Sequence, residues 1–278
     1  MSTTIRLSMA ALLAVAAAAC ATSPTGRRQL ALVSEESAIV ASAEAYSMLI
    51  GELRKEGKIV PESSRVARRV EGITERLVAQ AVEKRPETAD WDWSIEVIDD
   101  PEVVNAWCMA GGRMAVYTGL IQKLDPTDDE LAQVLAHEIS HALANHTAER
   151  MSVALATNVG ILLAGVLSED SQKTMSRAAI AAALAVQLPN SRSAESEADE
   201  IGIELAAKAG YNPNAAISLW EKMANVSGSG PPQFLSTHPS PANRQERLAE
   251  LAPQMMAYYE EARRNAPTRS VARVRRVD

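Results

Sequence analysis

Two histidines and a glutamate lie close together in the order His137-Glu138-Ile139-Ser140-His141. On an α-helix, side chains at positions i and i+4 project from the same face, so the two imidazoles can bind a single metal ion. Glu138 would then stand beside the ion, where a carboxylate can accept a proton from a water molecule. The spacing is that of a zinc site, and it predicts hydrolytic chemistry.

A catalytic zinc needs a third protein ligand and an open fourth position for water. His146 is five residues beyond His141. On a straight helix its side chain turns away from the metal, so we expect a buried hydrogen-bonding role for it. Glu195 and Asp199 share a face of a later helix. They predict a glutamate ligand at Glu195 and, at Asp199, a carboxylate that orients a metal-bound histidine.

The helices that carry these residues have recognisable starts and ends. Thr127-Asp128-Asp129-Glu130 matches a capping box, which predicts that the helix of the two histidines begins there. A break at Pro189-Asn190 precedes the helix of Glu195, which we expect to end near Gly210. Both ligand-bearing segments are therefore predicted to be separate helices.

Elsewhere the hydrophobic pattern indicates more helices and one small sheet. Apolar periodicity predicts two amphipathic helices, at about residues 34–56 and 63–85. Three strand-like runs lie between residues 93 and 117, with a turn at Gly111-Gly112. From residue 127 to about 261 the pattern is helical. The predicted fold class is α+β, mostly helical with a small β-sheet.

The composition is that of a folded protein, with 278 residues of which 47% are hydrophobic. A formal charge of -7 argues against a nucleic-acid partner, because such proteins neutralise phosphates with Lys and Arg. Two apolar segments, 153–167 and 178–188, are shorter than the roughly 18 residues of a membrane span, so we interpret them as a packed helical hairpin. Cys108 is expected to be a buried apolar residue.

The N-terminal residues form a pattern of their own. Residues 1–19 contain one cationic residue followed by an apolar stretch, and small residues precede Cys20. This pattern predicts a lipoprotein signal peptide, lipidation of Cys20 and a tether over residues 20–33. An ordinary cleaved signal with a chance cysteine is the alternative. The folded domain would then span residues 34–261, and a basic, disordered tail would occupy residues 262–278.

Several motifs follow one another in a recognisable order. They are His137-Glu138-x-x-His141, Glu195-x-x-Ala198-Asp199, Asn105-Ala106-Trp107, Gly111-Gly112 and Thr237-His238-Pro239. In these motifs and their order the chain resembles the M48 zinc metallopeptidases, which are gluzincins. This family includes prenyl-protein proteases, the Oma-type mitochondrial protease and exported bacterial quality-control proteases. The resemblance implies a zincin-like fold and polypeptide substrates. The chain departs from the family pattern at Trp107, where Phe is usual, and at Ala110, where Pro is common. Both residues lie in the presumed substrate strand, so the departures bear on substrate preference and not on catalysis.

The resemblance and the residue chemistry imply the same mechanism. Zinc held by His137, His141 and Glu195 would lower the pKa of a bound water to about 7. Glu138 would accept the proton and pass it to the leaving amine. Arg244 matches an arginine position of the family, where it would stabilise the oxyanion or order the site. A solvated arginine at the start of the last helix is the alternative.

Substrate binding is predicted on the third strand-like run, residues 113–117. An extended peptide would pair with this strand by β-augmentation, which reads backbone more than side chains and suits loosely selective cleavage. The residues assigned to this role are Asn105, Arg113 and Ala115.

His238 has three possible roles. It follows the Gly- and Pro-containing loop 228–232, which suits a movable segment, and Pro239 keeps it out of a helix. We favour a latch in which His238 fills the fourth position of zinc and closes the site. An oxyanion donor that swings in during catalysis and a loop histidine bonded to backbone are the alternatives.

The predicted function is that of a zinc metalloendopeptidase of the bacterial cell envelope, anchored through Cys20 to the periplasmic face of the outer membrane. Its substrates would be unfolded or misassembled envelope proteins. A non-catalytic chaperone or adaptor with the same fold is one alternative, which the intact Glu138 argues against. A membrane-embedded prenyl-protein protease is another, which the short apolar segments argue against.

Overall fold

The computed structural model describes residues 20–166, 190–226, 233–239 and 243–265, together with Val274. They divide into two compact units, of which the first is Met1–Ala38 with Asn145–Leu188 and the second is Ile39–Ala144 with Pro189–Asp278. Four predicted features lie outside the described residues. They are the signal peptide at 1–19, the apolar segment 178–188, the loop 228–232 and the tail from residue 266 onward apart from Val274.

The described residues form five strands and nine α-helices. The strands are β1 (Cys20–Thr22), β2 (Arg28–Leu30), β3 (Ser94–Ile98), β4 (Ala106–Met109) and β5 (Arg113–Tyr117). The helices are α1 (Glu35–Lys55), α2 (Arg65–Lys84), α3 (Thr118–Leu124), α4 (Asp128–Leu143), α5 (His146–Val166), α6 (Arg192–Lys208), α7 (Ala215–Ala224), α8 (Gln233–Thr237) and α9 (Arg244–Asn265). None of the helices in this part of the chain is both long and apolar enough to cross a membrane.

In the first unit, a hairpin stands where the sequence predicts a tether. β1 and β2 pair antiparallel, with Thr22 opposite Arg28. Gly26 turns the chain between them with a φ of +88°, which favours glycine. The Arg27 guanidinium donates two hydrogen bonds, of 2.8 and 2.6 Å, to the carboxylate of Glu149 on α5. The hairpin is thus fixed by a contact distant in sequence, which local composition does not reveal.

In the second unit, β5 lies between β3 and β4. It pairs in parallel with β3 and antiparallel with β4. Helix α2 packs on β3, and α4, the helix of the two histidines, packs on β4. The sheet therefore presents the edge formed by β4 beside the helix that carries the metal-binding motif.

This strand order contradicts the predicted substrate strand. A peptide can add only to an edge whose N–H and C=O groups are unpaired. Both edges of β5 are occupied, since Ala115 pairs with Glu96 on one side and with Trp107 on the other. The prediction that residues 113–117 bind an extended peptide is therefore wrong. The pattern of a strand predicts its position in the chain, whereas its place in the sheet depends on long-range pairing.

Helix α4 begins as predicted. The Thr127 hydroxyl accepts a hydrogen bond from the Glu130 N–H (3.2 Å), and the Glu130 carboxylate accepts one from the Thr127 N–H (2.8 Å). This reciprocal pair confirms the capping box. Helix α6 is capped by Ser191, whose hydroxyl accepts from the Ala194 N–H at 3.1 Å. Gly210, with a φ of +86°, follows its end.

Helices α4 and α6 lie unusually close to each other. A Cβ atom at Gly202 of α6 would stand 3.1 Å from both the N and the Cα of His137. Ala198, also on α6, is fully buried. The small residues allow the backbone of α6 to approach α4 directly. The close approach brings the acidic face of α6 against the histidines of α4.

The ends of two helices differ from the prediction. The chain leaves α4 at Ala144, and Asn145 adopts a φ of +56°. His146 therefore starts a new helix instead of continuing the old one, and it is buried, as expected. At the other end of the chain, α9 continues to Asn265, four residues beyond the predicted limit at 261. Arg263 and Arg264 lie in its last turn, where positive charge interacts favourably with the helix dipole.

Candidate metal centre

Four buried side chains converge at the contact between α4 and α6. They are His137, His141, Glu195 and His238, and one ligand atom from each lies within 4.8 Å of the others. The two histidines of α4 present their Nε2 atoms 3.1 Å apart. Glu195 places its Oε2 3.3 Å from Nε2 of His137 and its Oε1 3.4 Å from Nε2 of His141. Two imidazole nitrogens and one carboxylate therefore face a common point.

The chemistry of this donor set fits a divalent metal. Glu195 is completely buried, and within the described part of the chain neither of its oxygens accepts a hydrogen bond. Burying a carboxylate in this way costs free energy unless a positive group compensates it. Burial alone would raise the pKa of Glu195, but the neighbouring His141 and His137 outweigh it and lower the pKa well below its ordinary value. The carboxylate is ionised and available as a ligand.

Asp199 and Arg244 hold His137 from the side opposite the cluster. Asp199 Oδ1 lies 3.0 Å from His137 Nδ1, and the Arg244 guanidinium donates to the same oxygen at 2.5 Å. Burial lowers the pKa of His137, whereas Asp199 and Glu195 raise it, and the net result is a value of about 9. The carboxylate thus favours a proton on Nδ1, which leaves Nε2 to face the metal position.

Arg244 is a buried residue, only 2% exposed. Its guanidinium lies 3.6 Å above the ring of Trp220, a cation–π contact, and its Nη1 is 3.5 Å from Glu195 Oε2. The solvated alternative for this arginine is therefore wrong. Its contacts reach Asp199 on the Nδ1 side of His137 and Glu195 of the metal cluster. Its roles in ordering the site or in stabilising the oxyanion both stay predictions.

Glu138 lies beside the cluster, 2% exposed. Its Oε1 is 3.4 Å from Nε2 of His238. Burial, and after it the negative charge of Glu138, raises the pKa of the Cys108 thiol on β4 well above its ordinary value. Cys108 is buried in the core, as expected, and its raised pKa excludes an activated thiolate. Glu138 therefore lies beside the metal cluster, on the helix that packs against β4.

His238 has one nitrogen bound to the protein and the other directed at the cluster. Its Nδ1 lies 3.1 Å from the carbonyl oxygen of Phe234 and 2.9 Å from the hydroxyl of Thr237. The ring stacks on that of Phe234 at 4.3 Å. Burial, more than the opposing charge of Glu195, lowers its pKa to about 3, so the ring is neutral. Nε2 then carries a lone pair toward the cluster, as a metal ligand must.

The three residues assigned to the substrate strand are not part of this cluster. Arg113 pairs with Asp92 at 2.7 Å, and Ala115 is fully buried in the centre of the sheet. Asn105 precedes β4, and its Oδ1 accepts a hydrogen bond from the Ala106 N–H at 3.0 Å. Asn105 alone lies beside the sheet edge that faces α4.

Three residues of the site have no counterpart in the sequence prediction. Trp220 supports Arg244, Phe234 stacks on His238, and Asn190 extends its side chain to His141, with Nδ2 3.5 Å from Nε2. The available signals were weak: Phe234 is the one phenylalanine of the chain, and Asn190 directly precedes the cap of α6. Neither signal specifies a partner.

Comparison with known proteins agrees with this geometry. The model of peptidase family M48 matches residues 64–252. The mitochondrial metalloendopeptidase OMA1 of Saccharomyces cerevisiae is 30% identical over 218 residues, which are 74% of this chain and 61% of that protein. OMA1 of Arabidopsis thaliana is 38% identical over 159 residues, 57% of this chain and 31% of that protein.

A bacterial protein is also similar to this chain. The beta-barrel assembly-enhancing protease of Yersinia pestis is 34% identical over 161 residues, 55% of this chain and 33% of that protein. The chain thus spans less than two thirds of the length of each of these relatives. The sequence-based expectation of a zincin-like α+β fold is confirmed. The family match extends over most of the second unit, including every residue of the metal cluster, and the chain belongs to peptidase family M48.

Proposed function

We propose that the chain is a zinc-dependent metalloendopeptidase in which His137, His141 and Glu195 hold the metal. The observation that carries this proposal is the buried Glu195 carboxylate, which accepts no hydrogen bond from the described residues and faces two imidazole nitrogens. Bound zinc would supply a Lewis acid and lower the pKa of its water to about 7. Two imidazoles and a carboxylate are also the ligands that a catalytic zinc commonly has.

Glu138 acts as the general base and then as the general acid. Its carboxylate takes a proton from the attacking water while the water oxygen bonds to the scissile carbonyl carbon. The C–N bond then breaks, and Glu138 returns the proton to the amine nitrogen. Asp199 keeps His137 in the tautomer that binds metal, and Arg244 keeps Asp199 in place. A general base is of no use to a non-catalytic adaptor, which favours the enzyme over that alternative.

The peptide substrate binds along β4 in this proposal. Within the described residues, β4 pairs with β5 alone, so its other edge can accept an extended peptide by β-augmentation. The strand packs on α4, the helix of Glu138, and after burial the charge of Glu138 also raises the pKa of Cys108 on β4. A peptide paired there would pass beside the general base. Asn105 would release the Ala106 N–H on peptide binding.

His238 serves as a latch on this site. Its Nε2 belongs to the metal cluster, and its Nδ1 is fixed by Phe234 and Thr237. As a fourth ligand it would exclude the catalytic water and keep the enzyme latent. An endopeptidase that acts on unfolded chains must spare folded neighbours, and a closed resting state does so.

The setting of this activity is the bacterial cell envelope. Cys20 carries the lipid, the outer membrane is the anchoring site, and unfolded or misassembled envelope proteins are the substrates. The lipobox-like sequence before Cys20 and the relative in Yersinia pestis, named for beta-barrel assembly, support this setting. Replacing Cys20 with Ser should release the protein from the membrane fraction or leave it unprocessed. Recovery of the unmutated protein in the soluble periplasm would contradict the anchor.

The proposed activity is tested by metal analysis together with cleavage of an unfolded protein. We expect about one zinc per chain, in line with a single site of three protein ligands, and cleavage that a chelator stops and added zinc restores. Cleavage that persists after complete removal of metal would contradict the proposal. The absence of both metal and cleavage would favour the adaptor.

A further inference from the structure

Asn190 occupies a fixed position beside the metal cluster. It directly precedes Ser191, the cap of α6, and is 4% exposed. Its backbone N–H donates a hydrogen bond of 3.1 Å to the carbonyl oxygen of Thr237, the residue before His238. The backbone of Asn190 is therefore held between the helix that supplies Glu195 and the segment that supplies His238.

The carboxamide of Asn190 points into the cluster. Its Nδ2 lies 3.5 Å from Nε2 of His141, the same ring nitrogen that faces Glu195 at 3.4 Å. Its Oδ1 is buried and has no hydrogen-bond partner among the described residues. Buried amides in native proteins are normally satisfied, because an unpaired polar group costs about 1–3 kcal/mol. Oδ1 is an acceptor and needs a donor such as a substrate N–H, whereas the group placed to donate beside the ligand nitrogen is Nδ2.

Metal binding removes Nε2 of His141, the acceptor that Nδ2 has among the described residues. When Nε2 of His141 binds a metal, its lone pair is committed and cannot accept a hydrogen bond from Nδ2. The N–H groups of Asn190 then need another acceptor at the same point. In the proposed mechanism the carbonyl oxygen of the scissile peptide would approach the metal position and offer such an acceptor.

We infer that Asn190 is a further catalytic residue, whose side-chain N–H stabilises the oxyanion that develops on the scissile carbonyl. The inference rests on the proposed function. A neutral amide suits the role because it donates a hydrogen bond at any pH and adds no charge to a buried site that already holds Glu138, Glu195 and Asp199.

The other donors near the cluster are less well placed. Arg244 donates to Asp199 on the Nδ1 side of His137, and its Nη1 lies 3.5 Å from Glu195 Oε2, so its charge is engaged by two carboxylates. His238 directs Nδ1 at the carbonyl oxygen of Phe234, so its proton is used there and Nε2 presents a lone pair. Asn190 is the donor whose side chain reaches a metal-facing nitrogen directly.

The test compares Asn190→Ala with the unmutated, zinc-loaded chain. Loss of one oxyanion donor should lower kcat by about 10²- to 10³-fold with little change in KM. The pH profile of kcat should keep its shape, because an amide does not titrate. A phosphinic peptide, which mimics the tetrahedral oxyanion, should bind more weakly by a similar factor in calorimetry, while zinc content and Tm stay unchanged.

Asn225→Ala is the matched control. Asn225 is exposed, and its amide donates to the Glu221 carbonyl at the end of α7. Its loss should leave kcat, zinc content and phosphinic-peptide affinity as they are. If Asn190→Ala keeps kcat within about threefold of the unmutated chain, or loses its zinc, the inference is wrong. If the unmutated chain itself shows no metal-dependent cleavage, the proposed function fails and the inference with it.

Discussion

Two glutamates are buried at opposite ends of helix α4, and they are bonded in opposite ways. Glu130, in the first turn, is 3% exposed and accepts four hydrogen bonds. They come from the N–H and hydroxyl of Thr127, the hydroxyl of Ser218 and the ammonium of Lys222. Glu195, packed against the last turns, is fully buried and accepts none from the described residues.

The difference separates a carboxylate that holds the fold from one that awaits a ligand. Burial raises the pKa of Glu130, but hydrogen bonds from Lys222, Thr127 and Ser218 outweigh it and lower the pKa below its ordinary value. Glu195 reaches the same ionised state through two imidazoles that a metal would bind as well. A buried carboxylate thus indicates a metal site when the groups that stabilise its charge could bind the same metal. Exchanging each acid for its amide tests this distinction directly.

The largest effect is expected at Glu195. Glu195→Gln should weaken zinc binding by more than about 100-fold, the upper range for losing a residue that only supports a ligand. Because neither oxygen accepts a hydrogen bond from the described residues, the Tm of the metal-free protein should change by less than about 3 °C. Chelator competition and thermal unfolding measure the two quantities, with Glu130→Gln as the control. Normal zinc affinity in Glu195→Gln would remove this residue from the ligand set.

A third buried glutamate sharpens the comparison. Glu138 moves protons in the proposed mechanism, so Glu138→Gln should keep about one zinc per chain and lower peptide hydrolysis by at least about 10²-fold. Metal analysis and cleavage of an unfolded protein, performed on one preparation, separate the two roles. Near-normal cleavage would refute the general base, and a zinc-free protein would instead make Glu138 a ligand.

His238 combines both kinds of bonding, with Nδ1 satisfied by backbone and Nε2 open to the cluster. On the latch proposal, His238→Ala should raise basal proteolysis a few-fold and modestly weaken zinc retention, because a fourth ligand is lost. Turnover of unfolded substrate, zinc content and Tm are measured on the same variant. A fall in turnover with unchanged zinc would favour an oxyanion donor, and a change in Tm alone would favour a structural histidine.

The smallest effect on chemistry is expected at Glu130. Glu130→Gln should lower the free energy of unfolding by about 1–3 kcal/mol and leave zinc affinity unchanged. The lowered pKa of Glu130 adds stability above its unfolded pKa of about 4.3, and this stability is lost as the pH falls through the folded value. The gap between variant and unmutated protein should therefore shrink below about pH 4. A gap that widens in acid would contradict the assignment.

Features that follow from local periodicity could be predicted from the sequence. The i, i+4 spacing fixes His137 and His141 on one face wherever the helix lies, and the capping box defines its start. The order of the strands in the sheet could not be predicted. β5 is the central strand because it pairs with β3 as well as with β4, and β3 is not its neighbour in the sequence. Hence the predicted substrate strand was wrong although its bounds were right.

The environment of a side chain was equally hidden from the sequence. The residues that flank Arg244 in the sequence do not reveal whether its side chain is solvated or buried. Trp220 comes to lie beneath it only when the chain folds. Asn190 illustrates the same limit, since its contact with His141 joins residues far apart in sequence. Tertiary packing determines both the burial of Arg244 and the contact between Asn190 and His141.

Gly202 sets the distance between helices α4 and α6, which the metal ligands themselves do not control. Its missing side chain fixes how near the backbones of α4 and α6 can come, since a methyl group there would stand 3.1 Å from His137. Anyone transplanting this metal site into another scaffold would have to reproduce that spacing before choosing ligands. Placing the same three ligands on helices held apart by larger residues would give a site too wide for a small cation.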